Sequence, residues 1–278
     1  MKKQLMDTNG KREKDSLGTR MKEFYENRTR FMLGRRSYTL IRIDGKAFHT
    51  YTRGLMRPFD AGLMSDMDET TKYLCKNIQG AKFGYVQSDE ISILVTDFDD
   101  LKSESWFDLN LQKMCSVSAS LATSKFNHLR LIRSMKEKEE MDISYSSSFY
   151  EKMKLAEFDS RVFQITLPIE VENYFIWRQQ DATRNSISSS AQAVCSHKDL
   201  HGKTSDQQQE LLFQKGINWN DYSAREKRGG FIERVMKVVD GKNPMTGLEE
   251  RHVRNSWEAV ECPIFTAERD FLKSLIPE

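Results

Sequence analysis

Two short stretches place acids where a folded chain ordinarily avoids them. "LIRIDGKAFH" (40–49) sets Asp44 and Gly45 at the end of an apolar run, and "VQSDEISILV" (86–95) sets Asp89 and Glu90 between two such runs. A carboxylate at the end of a buried strand is costly to desolvate unless a cation meets it. Asp-Gly and Ser-Asp are also ordinary turn dipeptides, so a solvated turn accounts for each stretch taken singly. Together they allow a sharper chemistry. Two carboxylates converging at a sheet edge repel each other, and divalent cations turn that repulsion into a site. Magnesium suits such a pair, because it needs only one or two protein carboxylates and takes its other ligands from water and phosphate. Gly45, with no side chain in the way, lets a backbone carbonyl approach the same ion. This is the donor set of two-metal phosphoryl transfer.

The surrounding pattern supplies elements that bring the acids together. "SLGTRMKEFYENRTRFML" (16–33) reads as a helix with Met21, Phe24, Tyr25 and Phe31 turned inward. "SYTLIRID" reads as a central strand, being nearly continuous in apolar character. After Pro58, Asp60 is a helix N-cap. Leu63, Met64, Met67, Thr71, Leu74 and Ile78 then follow at helical spacing, and Gly80 supplies a stop. "AKFGYVQ" and "EISILVTDF" read as a hairpin. A helix is expected from Trp106 to Leu129, its small-residue centre allowing close approach to a sheet, and residues 130–160 read as a charged insertion. "RVFQITLP" is the next strand, and a helix through 169–194 carries Trp177, Arg178, Asp181, Arg184 and Asn185. The expectation is therefore an α+β fold, a ferredoxin-like βαββαβ polymerase or cyclase palm with additional helices and a C-terminal extension. In that order the first and third strands are neighbours, which puts Asp44 and Asp89 at one edge. The domain reading is a flexible leader (1–18), a palm-like core (19–200) and a helical or loop extension (201–278). The last segment, "CPIFTAERDFLKSLIPE", is expected to dock through Phe265, Phe271 and Leu275.

Bulk properties set limits. The chain has 278 residues, with 43 Lys+Arg against 41 Asp+Glu and a formal net charge of +2. No global basic field announces a nucleic-acid binder, so any such site must come from local clustering. The four cysteines have no CxxC spacing, which fits a reducing cytoplasm better than a zinc or disulfide framework. His197 and His201 are spaced i, i+4 but lack an evident third ligand for zinc. No segment approaches the ~18 apolar residues of a membrane span.

"RIDGKAFHTYTRGLMRPFD" followed by "GYVQSDEISIL", with "YFIWRQQDATRNSI", "LHGKTSDQQQELLFQKGINWN" and "KRGGF", resembles the histidine-tRNA guanylyltransferase family over roughly residues 16–235. It is most similar to the guanylyltransferase-like branch, whose members act as 3′–5′ RNA polymerases. The resemblance implies that Asp44 and Asp89, with the Gly45 carbonyl, hold two magnesium ions, and that Glu90 is a required catalytic acid. It implies a nucleotide site drawing on Lys46, Ala47, Phe48, His49, Asp60, Ser88 and Asn185. The substrates implied are GTP, ATP and a tRNA or other structured RNA, and the implied assembly is a homotetramer. Eukaryotic members carry a histidine where this chain has Thr183. The like-protein branch lacks that histidine too, which favours templated repair of RNAs missing 5′ nucleotides over strict addition of one guanylate. Arg178, Arg184, Lys227 and Arg228 are candidate RNA contacts, the last two because "KRGG" sets backbone amides beside two cations. Arg130 and Arg133 are weaker ones, since "KEKEE" follows. Two other classes stay open: a nucleotidyl cyclase on the same palm, and a non-enzymatic RNA-binding module. The module would need aromatics on its central strands for base stacking, which this pattern does not supply.

Overall fold

A computed structural model describes residues 16–140, 154–242, 245 and 247–278. It contains a mixed assembly of helices and one antiparallel sheet of six strands, ordered β4-β1-β3-β2-β5-β6. The strands are β1 Tyr38–Gly45, β2 Ala81–Gln87, β3 Glu90–Val95, β4 Phe158–Ile165, β5 Gly230–Lys242 and β6 Glu249–Val260. Among the helices are α1 Leu17–Phe24, α2 Phe48–Tyr51, α3 Ala61–Asn77, α4 Leu111–Glu140 and α5 Pro168–Val194. Three shorter ones used below are α6 Ser205–Gln214, α7 Ala224–Arg228 and α8 Arg269–Leu275.

The two-residue period of the strands sorts side chains between two cores. Ile41, Ile43, Ile91 and Ile93 pack with Met67 and Leu74 of α3 and Phe126 of α4. Tyr38, Leu40 and Leu94 face the other way, onto Val171 and Phe175 of α5. Because both faces are covered, the central strands read as nearly unbroken apolar runs. Helix α3 begins where Asp60 caps it, its carboxylate accepting from Leu63 N at 2.7 Å. It sits hard on β2: a Cβ added to Gly84 would lie 2.7 Å from Thr71 Cγ2. Helix α4 approaches β4 through its small residues, with Ser118 Oγ donating to Ser160 Oγ at 2.7 Å.

Several expectations need correction. The charged stretch after Leu129 is no insertion up to residue 140, because α4 runs unbroken to Glu140. Residues 141–153 of the anticipated insertion, and 1–15 of the leader, lie outside the described residues. Arg130 and Arg133 are not free for RNA. They converge on Asp66, which is 2% exposed, at 3.1 and 2.7 Å. The run 16–33 forms only α1 and a 3-10 turn at Glu26–Thr29, and Met21, Phe24, Tyr25 and Phe31 are exposed. Their spacing is helical, but no described part of the chain packs over them. The C-terminal part is not all helix and loop, since β5 pairs with β2 and β6 pairs with β5, extending the sheet by two strands. The tail does dock on the α5 face, with Phe265 and Leu272 fully buried and Phe271 and Leu275 packed beside them.

Asp66 therefore welds α3 to α4 beneath the sheet. Asp66→Ala leaves two guanidinium groups without their counter-charge, and unfolding by urea should show a loss of about 3 kcal/mol. An unchanged midpoint would mean the pair adds nothing.

Candidate active site

The two acid-bearing stretches meet at one edge of the sheet. In β1 and β3, Asp44 stands directly opposite Glu90. Asp89 sits in the two-residue turn between β2 and β3, and its carbonyl accepts from Gly45 N at 3.2 Å. The turn is tight enough to force Ser88 to φ 48°, and the Ser88 hydroxyl donates to Asp89 Oδ1 at 2.9 Å. Gly45 is required by packing, because a Cβ there would collide with the Phe48 ring. Burial pushes the Asp89 carboxyl above the ordinary aspartate range; the Ser88 hydroxyl opposes this, and the nearby Asp44 and Glu90 charges add to it.

Both acids open into a cavity of about 460 Å³ between β1, β3, α3, α5 and α7. Six carboxylates line it (Asp44, Asp60, Asp89, Glu90, Asp181, Glu226), against three guanidiniums (Arg42, Arg178, Arg225). The guanidiniums are already committed. Arg225 is held by Asp68 at 2.8 Å. Arg42 and Arg178 reach the two oxygens of Glu90 at 2.5 and 2.8 Å, and Arg178 also holds Asp181. Glu90 is 7% exposed, and burial raises its carboxyl while Arg178 and Arg42 pull it back. This acid therefore fixes the cavity floor, with both of its oxygens spoken for. Asp44 is different: its nearest cation is Arg161 at 3.9 Å, and a third of its side chain is exposed. Among the described residues no group of three His, Cys, Asp or Glu side chains is placed to share a metal. Asp44 and Asp89 line the cavity and offer all-oxygen donors of the kind a hard cation takes together with water and phosphate, whereas Gly45 is not among its lining residues.

The other anticipated residues fall into two groups. Ser88, Asp60 and Asn185 line this cavity, Asp60 with its carboxylate occupied as the α3 cap and by Met56 N. Lys46, Ala47, Phe48 and His49 do not line it. Lys46 is exposed and pairs with Glu157, in a separate groove that also holds Asp159. Ala47 takes φ 52° at the start of α2 and His49 is exposed, whereas Phe48 belongs to the core, packed with its ring tilted against Phe126 and Phe158. Arg178, anticipated on the RNA surface, is 3% exposed and locked to Glu90 and Asp181. Arg184 is exposed and bound to Asp181 at 2.9 Å. Lys227 donates to the Asn220 carbonyl, and the Arg228 carbonyl accepts from Tyr85 Oη. Gly229 and Gly230 are buried where β5 begins, so the "KRGG" amides are not a mobile cradle.

Sequence reasoning passed over Arg42, Asp159 and Arg161. Arg42 lies two residues before Asp44 on the same strand, hence on the same face, and that period was readable. Asp159 and Arg161 oppose Asp44 and Arg42 across β4, a register that only pairing reveals.

The chain matches the family model for tRNAHis guanylyltransferase over residues 18–166, which takes in both acids. It is similar to the solved structure of a bacterial tRNA(His) guanylyltransferase (Thg1)-like protein in complex with ATP, at 43% identity and a TM-score of 0.78, covering 94% of this chain and 99% of that one. A structure of a bacterial Thg1-like protein in complex with GTP gives 41% identity and a TM-score of 0.74, covering 95% and 100%. The probable tRNA(His) guanylyltransferase of Dictyostelium discoideum is 26% identical over 81% of this chain and 85% of its own length. A family match across the strands that carry Asp44 and Asp89, with likeness over nearly the whole fold, makes this chain a member of the tRNA(His) guanylyltransferase family of nucleotidyltransferases, in the company of its Thg1-like proteins.

Proposed function

We propose that the chain adds nucleotides in the 3′–5′ direction to the 5′ end of tRNA or tRNA-like RNA, templated by the opposing strand, as a 5′-end repair enzyme. The observation that carries this reading is the convergence of Asp44 and Asp89 on one cavity large enough for a nucleotide. In this reaction the RNA 5′ end is the electrophile, as a triphosphate or after adenylylation by ATP. The 3′-hydroxyl of the incoming nucleoside triphosphate attacks it, and pyrophosphate or AMP leaves. Asp44, Asp89 and the Gly45 carbonyl would hold two magnesium ions, which when bound lower the pKa of the attacking hydroxyl and offset charge on the phosphates. Arg42 and Arg178, fixed by Glu90, give the cavity floor a rigid set of donors near the phosphates. Asn185, projecting from α5, is suited to contact a nucleotide or the RNA end. Thr183, where eukaryotic members carry histidine, supports templated repair over a single untemplated guanylate.

The strand order β4-β1-β3-β2, with α3 and α4 on one face, supports a palm of ferredoxin-like type. Assembly as a homotetramer and residence in the cytoplasm belong to the same reading. The four cysteines are free thiols, and among the described residues no helix is long and apolar enough to cross a membrane. The central strands β1 to β3 carry helices on both faces, which leaves them no open platform for the stacking an RNA-binding module of that kind needs.

Single-turnover addition to a tRNA lacking its first 5′ nucleotide, with each nucleoside triphosphate in turn, tests the activity. Only the nucleotide complementary to the opposing strand should add, and Asp44→Asn or Asp89→Asn should slow it roughly a hundredfold or more while RNA binding persists. Addition irrespective of template, or variants as fast as wild type, would sink the reading.

The Asp89 environment makes a second, separate prediction. In metal-free protein the folded state keeps the Asp89 proton to higher pH than the unfolded chain does, so stability falls as pH rises from the ordinary aspartate range through the raised value. Asp89→Asn has no proton to lose. Urea unfolding in chelator should therefore show the variant gaining on wild type across that window and holding its lead above it. Magnesium should narrow the gap by stabilising wild type alone. A stability difference that ignores pH would refute the electrostatic account.

A further inference from the structure

A second pocket of about 410 Å³ opens beside the first, and the two share Ser188 and Gln192 of α5. Its composition is the reverse of its neighbour's. Arg57, His197 and His201 line it, with Gln208 of α6 closing one side, and no carboxylate does. Arg57 comes from the loop before α3, next to Pro58, which lines the first cavity. The two imidazoles stand 6.0 Å apart, ring centre to ring centre, and all three side chains are exposed. None of the three has an ion pair or a side-chain hydrogen bond among the described residues. That sets them apart from the arginines of the first cavity, each of which is held by an acid.

We infer that this second pocket binds a backbone phosphate of the RNA strand whose 5′ end lies in the active site. The inference rests on the nucleotide-addition reading and deepens it. Its physical basis is a charge conflict. A polyanion entering a cavity lined by six carboxylates and three committed guanidiniums meets net repulsion beyond the reacting phosphates. Its next backbone phosphates must find cations and donors elsewhere, and the adjoining lobe offers an unpaired guanidinium from the loop before α3, two imidazoles that follow α5, and the side-chain amides of Gln192 on α5 and Gln208 on α6. Arg suits a phosphate because its planar fork donates in pairs. Metal binding is the poorer use of the histidines, because the described residues place no third ligand beside them.

The test uses full-length protein, the repair-substrate tRNA lacking its first 5′ nucleotide, and free GTP as a separate probe. The variants are Arg57→Gln and the double His197→Gln/His201→Gln. All three positions are exposed, and thermal unfolding checks that the fold is intact. The tRNA Kd should rise about tenfold for each variant. The slope of log K against log salt should flatten by about one for Arg57→Gln. KM for GTP should stay within twofold of wild type. An unchanged tRNA Kd and salt slope would overturn the inference. Equal losses for tRNA and for GTP would overturn it as well, by assigning the pocket to the nucleotide's phosphate tail. Wild type that adds no nucleotide defeats the underlying reading first, whereas active wild type with indifferent variants defeats this inference alone.

Discussion

Glu90, buried between Arg42 and Arg178, is the joint on which the site depends. One carboxylate ties β3 to its neighbour β1 and to α5, which crosses the sheet above them. A buried charge is tolerated only when paired on every side, so neither arginine can swing away without leaving Glu90 uncompensated. This fixes the cavity floor before any substrate arrives. Asp44, directly opposite Glu90, and Asp89, beside it, are not locked by these guanidiniums. Preorganisation of this kind is how a polar site avoids reorganising at the moment of reaction.

The same logic explains the division of labour among the charged residues around the cavity. Arg130 and Arg133 serve Asp66 between α3 and α4, and Arg225 ties α7 to Asp68. These pairs hold helices in place around a sheet whose apolar faces are both covered. The arginines that face buried or cavity-lining acids are thus committed to them, whereas Arg57, at the flank of the cavity, is not.

Some of this architecture is legible in the sequence because local chemistry leaves no alternative. The Asp60 cap, the Gly80 stop and the apolar runs of β1 to β3 each follow from one residue type at one spacing. The C-terminal ribbon of β5 and β6 is not legible in this way. Gly230, Phe231 and Ile232 are buried, and Trp257 and Val260 pack against the two cores, but most of the remaining ribbon is exposed or half-buried, so no apolar run marks it. The helix at 17–24 shows the converse: its periodicity is real, but a pattern alone does not say whether anything packs over it.

The sequence by itself determined which acids end which strands and the family to which the chain belongs. These depend on residue type and order, which folding does not alter. The tertiary structure decided which charges are available. Whether Arg178 meets RNA or Glu90, whether Phe48 touches a base or the core, and whether Arg57 faces an acid are questions of distance between residues far apart in the chain. Electrostatic partnership falls off over a few ångströms and is enforced by burial, so only the folded chain assigns it.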